Sequence, residues 1–395
     1  MPVACALIVS ALSFVLSLAM EPAALGQVTQ GTDASRMRAR DLGIVIGRYQ
    51  PGPLNAITDV AGVKVGHVTL LRGEGALVPG KGPVRTGVTV IIPRDDVWRY
   101  KVPAGAFVLN GTGEMTGLAW VAESGFLEYP VALTNTLNVP RVANGVMTWM
   151  IKQYPGIGVT DDTLTPVVAE CDDSRLNDSQ GRHVSEDDVV TALENAGPGP
   201  VTEGTVGAGT GMVSYGFKGG IGTSSRRLPD QDGGYTVGVL VNANHGRREE
   251  LVVNGVPVGK RYDQDTHAAL SGSEGSIIIV IATDAPLDAR QLGRLAKRAA
   301  LGLARTGSTA RHGSGDFMVA FSTGNSIPHY PEAHTMTMTR MADTHLNPLF
   351  TATAEATEEA IVNALTMATT LVGRDRHRVE AISLSTLKAL LSGSR

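Results

Sequence analysis

The chain has 395 residues, with 47 glycines, 5% aromatic and 18% charged residues, and a formal net charge of -4. This composition describes a globular α/β protein able to bury a sizeable core, and it excludes a disordered, fibrous or coiled-coil chain. Charges of both signs are interspersed and no Lys/Arg run tracks phosphates, so nucleic acid is excluded as a partner.

The first element in chain order is an apolar run, Val3 to Leu18, which ends in the small-residue stretch Ala23-Ala24-Leu25-Gly26. It reads as an export signal over residues 1–26, although no Lys or Arg precedes Arg36. The run is marginal for a membrane span and no later stretch is apolar enough, so a periplasmic or secreted protein without a membrane partner is expected. Cys5 lies within the signal, which leaves Cys171 as the mature chain's cysteine. Flanking carboxylates in AECDDS raise its pKa, and it reads as an ordinary residue, not a nucleophile.

From Asp41 onward, short β-type runs alternate with Gly, Pro and Asn: GVKVGHVTL, TGVTVIIP, AGAFVLNG, YPVALTN, YTVGVLVNAN, GSIIIVIAT and GDFMVAFS. Strands this apolar are buried on both faces and call for helices outside the sheets. Helices are predicted over about Pro286–Arg305, with Leu292, Leu295, Ala296, Ala299 and Leu303 on one face, and over about Pro348–Val372. The polar segment Asp172–Gly204 is expected to be an exposed excursion.

The segment Ala304–Asn325, ARTGSTARHGSGDFMVAFSTGN, carries the chemistry. Ser314 stands at the mouth of an apolar strand after Gly313, which has no side chain to hinder attack on its carbonyl and tolerates a strained backbone. Attack by the hydroxyl, an acyl shift from nitrogen to oxygen and hydrolysis would leave a serine bearing both a nucleophile and a free α-amine. Taken alone, Gly-Ser-Gly-Asp is an ordinary turn.

That segment resembles the L-aminopeptidase/D-esterase and β-aminopeptidase family of self-cleaving serine peptidases. So do Arg38–Leu70, Asn110–Glu128, Gly207–Arg226 and YTVGVLVNANHGRREEL, in the family's order. The resemblance implies a four-layer αββα sandwich of the N-terminal-nucleophile type, cut into a large chain, 27–313, and a small chain, 314–395. It further implies that the αβ units form a homo-oligomer and act on small peptides, amides or esters with a free amino group.

In this resemblance Ser314 matches the nucleophile and Glu203 the acid that holds the substrate's amino group, a task suited to a partly desolvated carboxylate. Tyr215 matches a tyrosine lining the site. Asn244 is the candidate oxyanion donor, with Asn242 as a substitute. The family orients its nucleophile with a hydroxyl and a Glu two residues apart downstream of it; Thr357 with Glu359 is preferred here, and Thr353 with Glu355 is the alternative.

No cofactor or metal is expected. Gly207-Ala-Gly209-Thr-Gly211-Met212 lacks the last glycine of a dinucleotide turn, and His329, His334 and His345 have no metal-ligand spacing. His312, beside the expected cut, reads as a bystander. Two rival readings are an ornithine acetyltransferase-like acyl transferase, whose nucleophile is a threonine, and an inactive exported binding protein.

Overall fold

The computed structural model describes Met1, residues 36–262 and residues 275–392. The expected signal over 1–26, with Cys5, lies outside the described residues. The principal elements of the first half are β1 (Lys64–Arg72), β2 (Val84–Ile92), β3 (Tyr100–Gly111), β4 (Val131–Thr134), helix α1 (Val139–Gln153), β5 (Val167–Glu170) and α2 (Glu186–Glu194). The second half adds β6 (Gly220–Arg227), β7 (Thr236–Asn244), β8 (Ser276–Thr283), α3 (Ala289–Arg305), β9 (Gly315–Ser322) and α4 (Asn347–Met367).

Two sheets form. One has the order β1-β2-β4-β5, and the other runs β3-β9-β8-β7-β6 with two-residue strands added at β3. Alternation along the second sheet sends Leu240, Ile278, Val280 and Val319 into an inter-sheet core shared with Val88, Val90 and Leu133. The opposite face buries Ile277, Ile279, Ile281 and Met318 against Leu292 and Leu295 of α3 and Ala360 and Ile361 of α4. Helices α1 and α2 add Val142, Val146 and Val189 beside the first sheet. The result is the expected αββα sandwich, and its strands are apolar throughout because both faces are covered.

The expected strands all form, while β5 and β6 went unrecognised because PVVAE is short and GTSSR is polar. Helix α3 begins at Ala289 because Asp288 caps it, accepting from Gln291 N–H at 2.7 Å. Helix α4 ends at Met367, five residues before its predicted end, and Leu371–Val372 is a short strand. The excursion 172–204 is not simply exposed: it contains α2 and buries Leu176, Val184, Val189 and Leu193.

Candidate active site

Ser314 opens the β9 end of the second sheet and is 2% exposed. Its hydroxyl donates to Asp316 Oδ1 at 2.7 Å. Burial pushes the Asp316 carboxyl up to about 6, against the lowering effect of the Ser314 bond. A hydroxyl and a carboxylate two residues apart thus stand together at Ser314 and Asp316.

Ser276 begins β8, the neighbouring strand. Its Cα is paired with Gly315 on one side and with Asn244 of β7 on the other. Gly275 before it has φ +52°, and a Cβ there would lie 2.0 Å from the Asn244 carbonyl oxygen, so the position accepts only glycine. The requirement stated for Gly313-Ser314, a glycine-serine peptide at the mouth of a buried strand, is therefore met a second time at Gly275-Ser276. Sequence reasoning missed this serine although GSIIIVIAT contains the same signal.

The Asn244 carboxamide is braced, its Oδ1 accepting from Val213 N–H at 2.7 Å and its Nδ2 donating to the Asp172 carbonyl at 2.9 Å. An amide nitrogen carries two protons, so one donor remains for a developing oxyanion. Asn242 lies two residues deeper in β7, opposite Ile278. Tyr215 is buried at φ +51°; its N–H donates to the His245 carbonyl at 2.7 Å and its hydroxyl pairs with Thr306 Oγ1 at 2.8 Å. Burial raises its phenol pKa, and the Asp316 charge adds to the shift. Tyr215 backs the site as a neutral phenol.

Glu203 is not brought to either serine. Its carboxylate is held by Arg38 at 2.7 Å and by Thr223 N–H at 2.7 Å. Thr223 lies on a rung with Leu240, Val280 and Val319, four residues along the strand from Ser276 and five from Ser314, or roughly 13–17 Å. Burial nonetheless pushes Glu203 up to about 7.

Thr357 and Glu359 are also elsewhere. Glu359 accepts from Arg226 at 2.7 Å, Arg40 at 2.9 Å and Asn55 at 2.6 Å. Arg226 is on the rung of Thr283, seven residues or about 23 Å from Ser276. The Thr357 hydroxyl donates back to Thr353 O at 2.8 Å, and its Cβ packs toward Gly302 of α3. The alternative register fares no better, since Thr353 bonds Leu349 O and Glu355 pairs with Arg226. Spacing alone selected these residues; helix α4 runs from the far end of the sheet and carries their acids away from the serines.

A different carboxylate borders the serines. Glu170 ends β5, is buried, and accepts from the Thr136 hydroxyl and from Glu114 N–H at 3.0 Å. Among the described residues it has no ion pair, and burial raises its pKa. A Cβ on Gly113 would lie 2.6 Å from Glu170 Oε1 and 3.6 Å from Gly315 Cα, so the Thr112–Glu114 loop joins this carboxylate to the first residue of β9. The next residue, Cys171, donates to the Asn242 carbonyl at 3.6 Å and lies in hydrogen-bonding contact with the Ser276 side chain. Burial, more than its neighbours' charge, raises the thiol pKa.

A buried serine flanked by a hydroxyl–carboxylate pair and a carboxamide, at the edge of an αββα sandwich, defines a hydrolase of the N-terminal-nucleophile type. The model of peptidase family S58 matches residues 55–379, and the chain belongs to that family. It is 47% identical over 357 residues, 87% of this chain and 88% of the relative, to the β-peptidyl aminopeptidase BapA of Sphingosinicella xenopeptidilytica. Among solved structures it is similar to a Burkholderia sp. β-aminopeptidase, at TM-score 0.84 and 45% identity, with 90% of this chain and 99% of the other covered.

It is equally similar to the L-aminopeptidase D-Ala-esterase/amidase of Ochrobactrum anthropi, described as a variant of the Ntn hydrolase fold, at TM-score 0.84 and 42% identity, covering 90% and 98%. The protein is a serine aminopeptidase, a hydrolase of peptide bonds. That assignment displaces the acetyltransferase and binding-protein readings.

Proposed function

We propose that the chain is exported, cuts itself between Gly275 and Ser276, and then releases N-terminal residues through an acyl-enzyme on Ser276. Residues 276–395 would form the small chain, and the αβ units would assemble into a homo-oligomer. The observation that carries this reading is the position of Ser276 between Gly315, beside the Ser314–Asp316 pair, and Asn244. The family's hydroxyl and acid, two residues apart and downstream of the nucleophile, then correspond to Ser314 and Asp316, with Asp in place of Glu.

In the first reaction the Ser276 hydroxyl attacks the Gly275 carbonyl, the Ser276 nitrogen leaves as the amine, and water hydrolyses the resulting ester. In turnover the same oxygen attacks the substrate's acyl carbon, Asn244 donates to the oxyanion, and the leaving amine departs protonated. The freed α-amine of Ser276 has an ordinary pKa of about 7.7–8.0 and takes the hydroxyl proton. Glu170, which has no ion pair among the described residues, holds the substrate's ammonium by a charge-assisted hydrogen bond. Substrates are peptides, amides or esters with a free amino group, including the β-peptidyl class named for the relatives.

The test is N-terminal sequencing of the small chain. Ser276 is expected as its first residue, with Ser276→Ala remaining a single chain and Ser314→Ala cutting slowly at the same bond. A small chain beginning at Ser314 would overturn the reading and return the nucleophile to Ser314, which Gly313 and the bond to Asp316 otherwise favour.

A further inference from the structure

The sequence Asn135-Thr136-Leu137-Asn138 forms a 3-10 turn between β4 and α1. Asn135 caps it, accepting from Asn138 N–H at 3.1 Å, and is anchored below through bonds to Thr86 at 2.9 Å and Asp173 at 3.0 Å. Asn135 and Asn138 are buried, and the next residues enter α1 with Pro140 in its first turn. The turn is therefore pinned from beneath. Leu137 at its crest is 46% exposed.

Thr136, one residue earlier, donates its hydroxyl to Glu170. Contacts then run from Glu170 through Gly113 to Gly315, the sheet partner of Ser276. A substrate with its ammonium on Glu170 and its carbonyl at Ser276 holds the side-chain-bearing carbon between these two points. Leu137 is the next residue after Thr136, whose hydroxyl bonds Glu170 at the ammonium end of that path.

We propose that the Thr136–Asn138 turn is the specificity element of this site: Thr136 aims the amine-holding carboxylate, and Leu137 contacts the side chain of the released residue, favouring large apolar ones. The proposal rests on the assignment of Glu170 as the amine holder. A leucine left in water on a rigid support gains contact when an apolar ligand covers it, and a polar support keeps it from collapsing into the core. An exposed leucine alone means little; its link through Thr136 to a buried acid that has no ion pair among the described residues gives it a role.

The test uses the processed enzyme with the p-nitroanilides of alanine and leucine. Leu137→Ala should lower the leucine-to-alanine ratio of kcat/KM by about 5-fold or more, chiefly through KM, and Leu137→Met should restore it. An unchanged ratio in both Leu137→Ala and Leu137→Asp, with processing and folding intact, overturns the proposal. A changed oligomeric mass with the same ratio does so as well, by assigning Leu137 to assembly. Failure of the Glu170 assignment is read separately, from free against N-acetylated substrates in Glu170→Gln.

Discussion

At the residue scale the proposed reaction depends on two buried carboxylates whose partners differ. Asp316 is raised to about 6, so the acceptor for the Ser314 hydroxyl is lost as pH falls through that value. Below the acidic limb that the Ser276 α-amine sets at about 7.7–8.0, the kcat/KM profile of the processed enzyme should steepen through a second inflection near pH 6, and Asp316→Asn should remove that lower inflection while lowering the plateau. A lower inflection unmoved in the variant would assign it to another group.

Glu170 has no ion pair among the described residues, and in the proposed reaction its charge serves the substrate's ammonium. Glu170→Gln should weaken turnover of free-amine substrates by about 1.5–3 kcal/mol in kcat/KM, the worth of a hydrogen bond to a charged group. Equal turnover of an N-acetylated substrate and its parent in the native enzyme would remove that role. Glu203, matched to this task by motif alone, is neutralised by Arg38. Motif spacing could not reveal that partner, because Arg38 lies far from Glu203 along the chain.

At the element scale, α4 lies on β6 so closely that a Cβ on Gly222 would stand 2.0 Å from the Ala360 carbonyl oxygen and 2.6 Å from Ala364 N. Both neighbours are backbone and cannot rotate away. Gly222→Ala should therefore cost about 1–3 kcal/mol of stability, measured as a lower thermal midpoint, with the catalytic groups chemically intact. A midpoint equal to the native one would mean that helix and strand separate more easily than this packing implies. The same contact sets the direction of α4 and carries Thr357 and Glu359 to the far end of the sheet.

At the scale of the whole molecule, Lys218 is fully buried, donating to Gly209 O at 3.0 Å and Gly219 O at 2.9 Å. Burial lowers its pKa to about 7, below an unfolded value of about 10.4, against the raising effect of Asp173. The unfolded chain then binds more protons than the native one between these values. The Lys218 contribution is present in full above pH 10.4 and is lost as pH falls toward 7. Between pH 7 and 9 the native protein should gain about 1 kcal/mol per unit relative to Lys218→Met, seen as converging or crossing thermal midpoints. Parallel curves for the two proteins would show that Lys218 does not titrate in this window.

The sequence by itself determined the layered α/β fold, because apolar strands need cover on both faces, and the peptidase family, because long motifs occur in one order. It also marked Ser314, Asn244 and Tyr215 as members of one neighbourhood. Only the tertiary structure decided which acid accompanies which serine. Strand registry sets Ser276 beside Gly315 and Asn244, while two local sequences, Gly275-Ser276 and Gly313-Ser314, look alike along the chain. The physical reason is that a hydroxyl's chemistry depends on neighbours within hydrogen-bond reach, and here those neighbours come from different strands whose pairing no local spacing records.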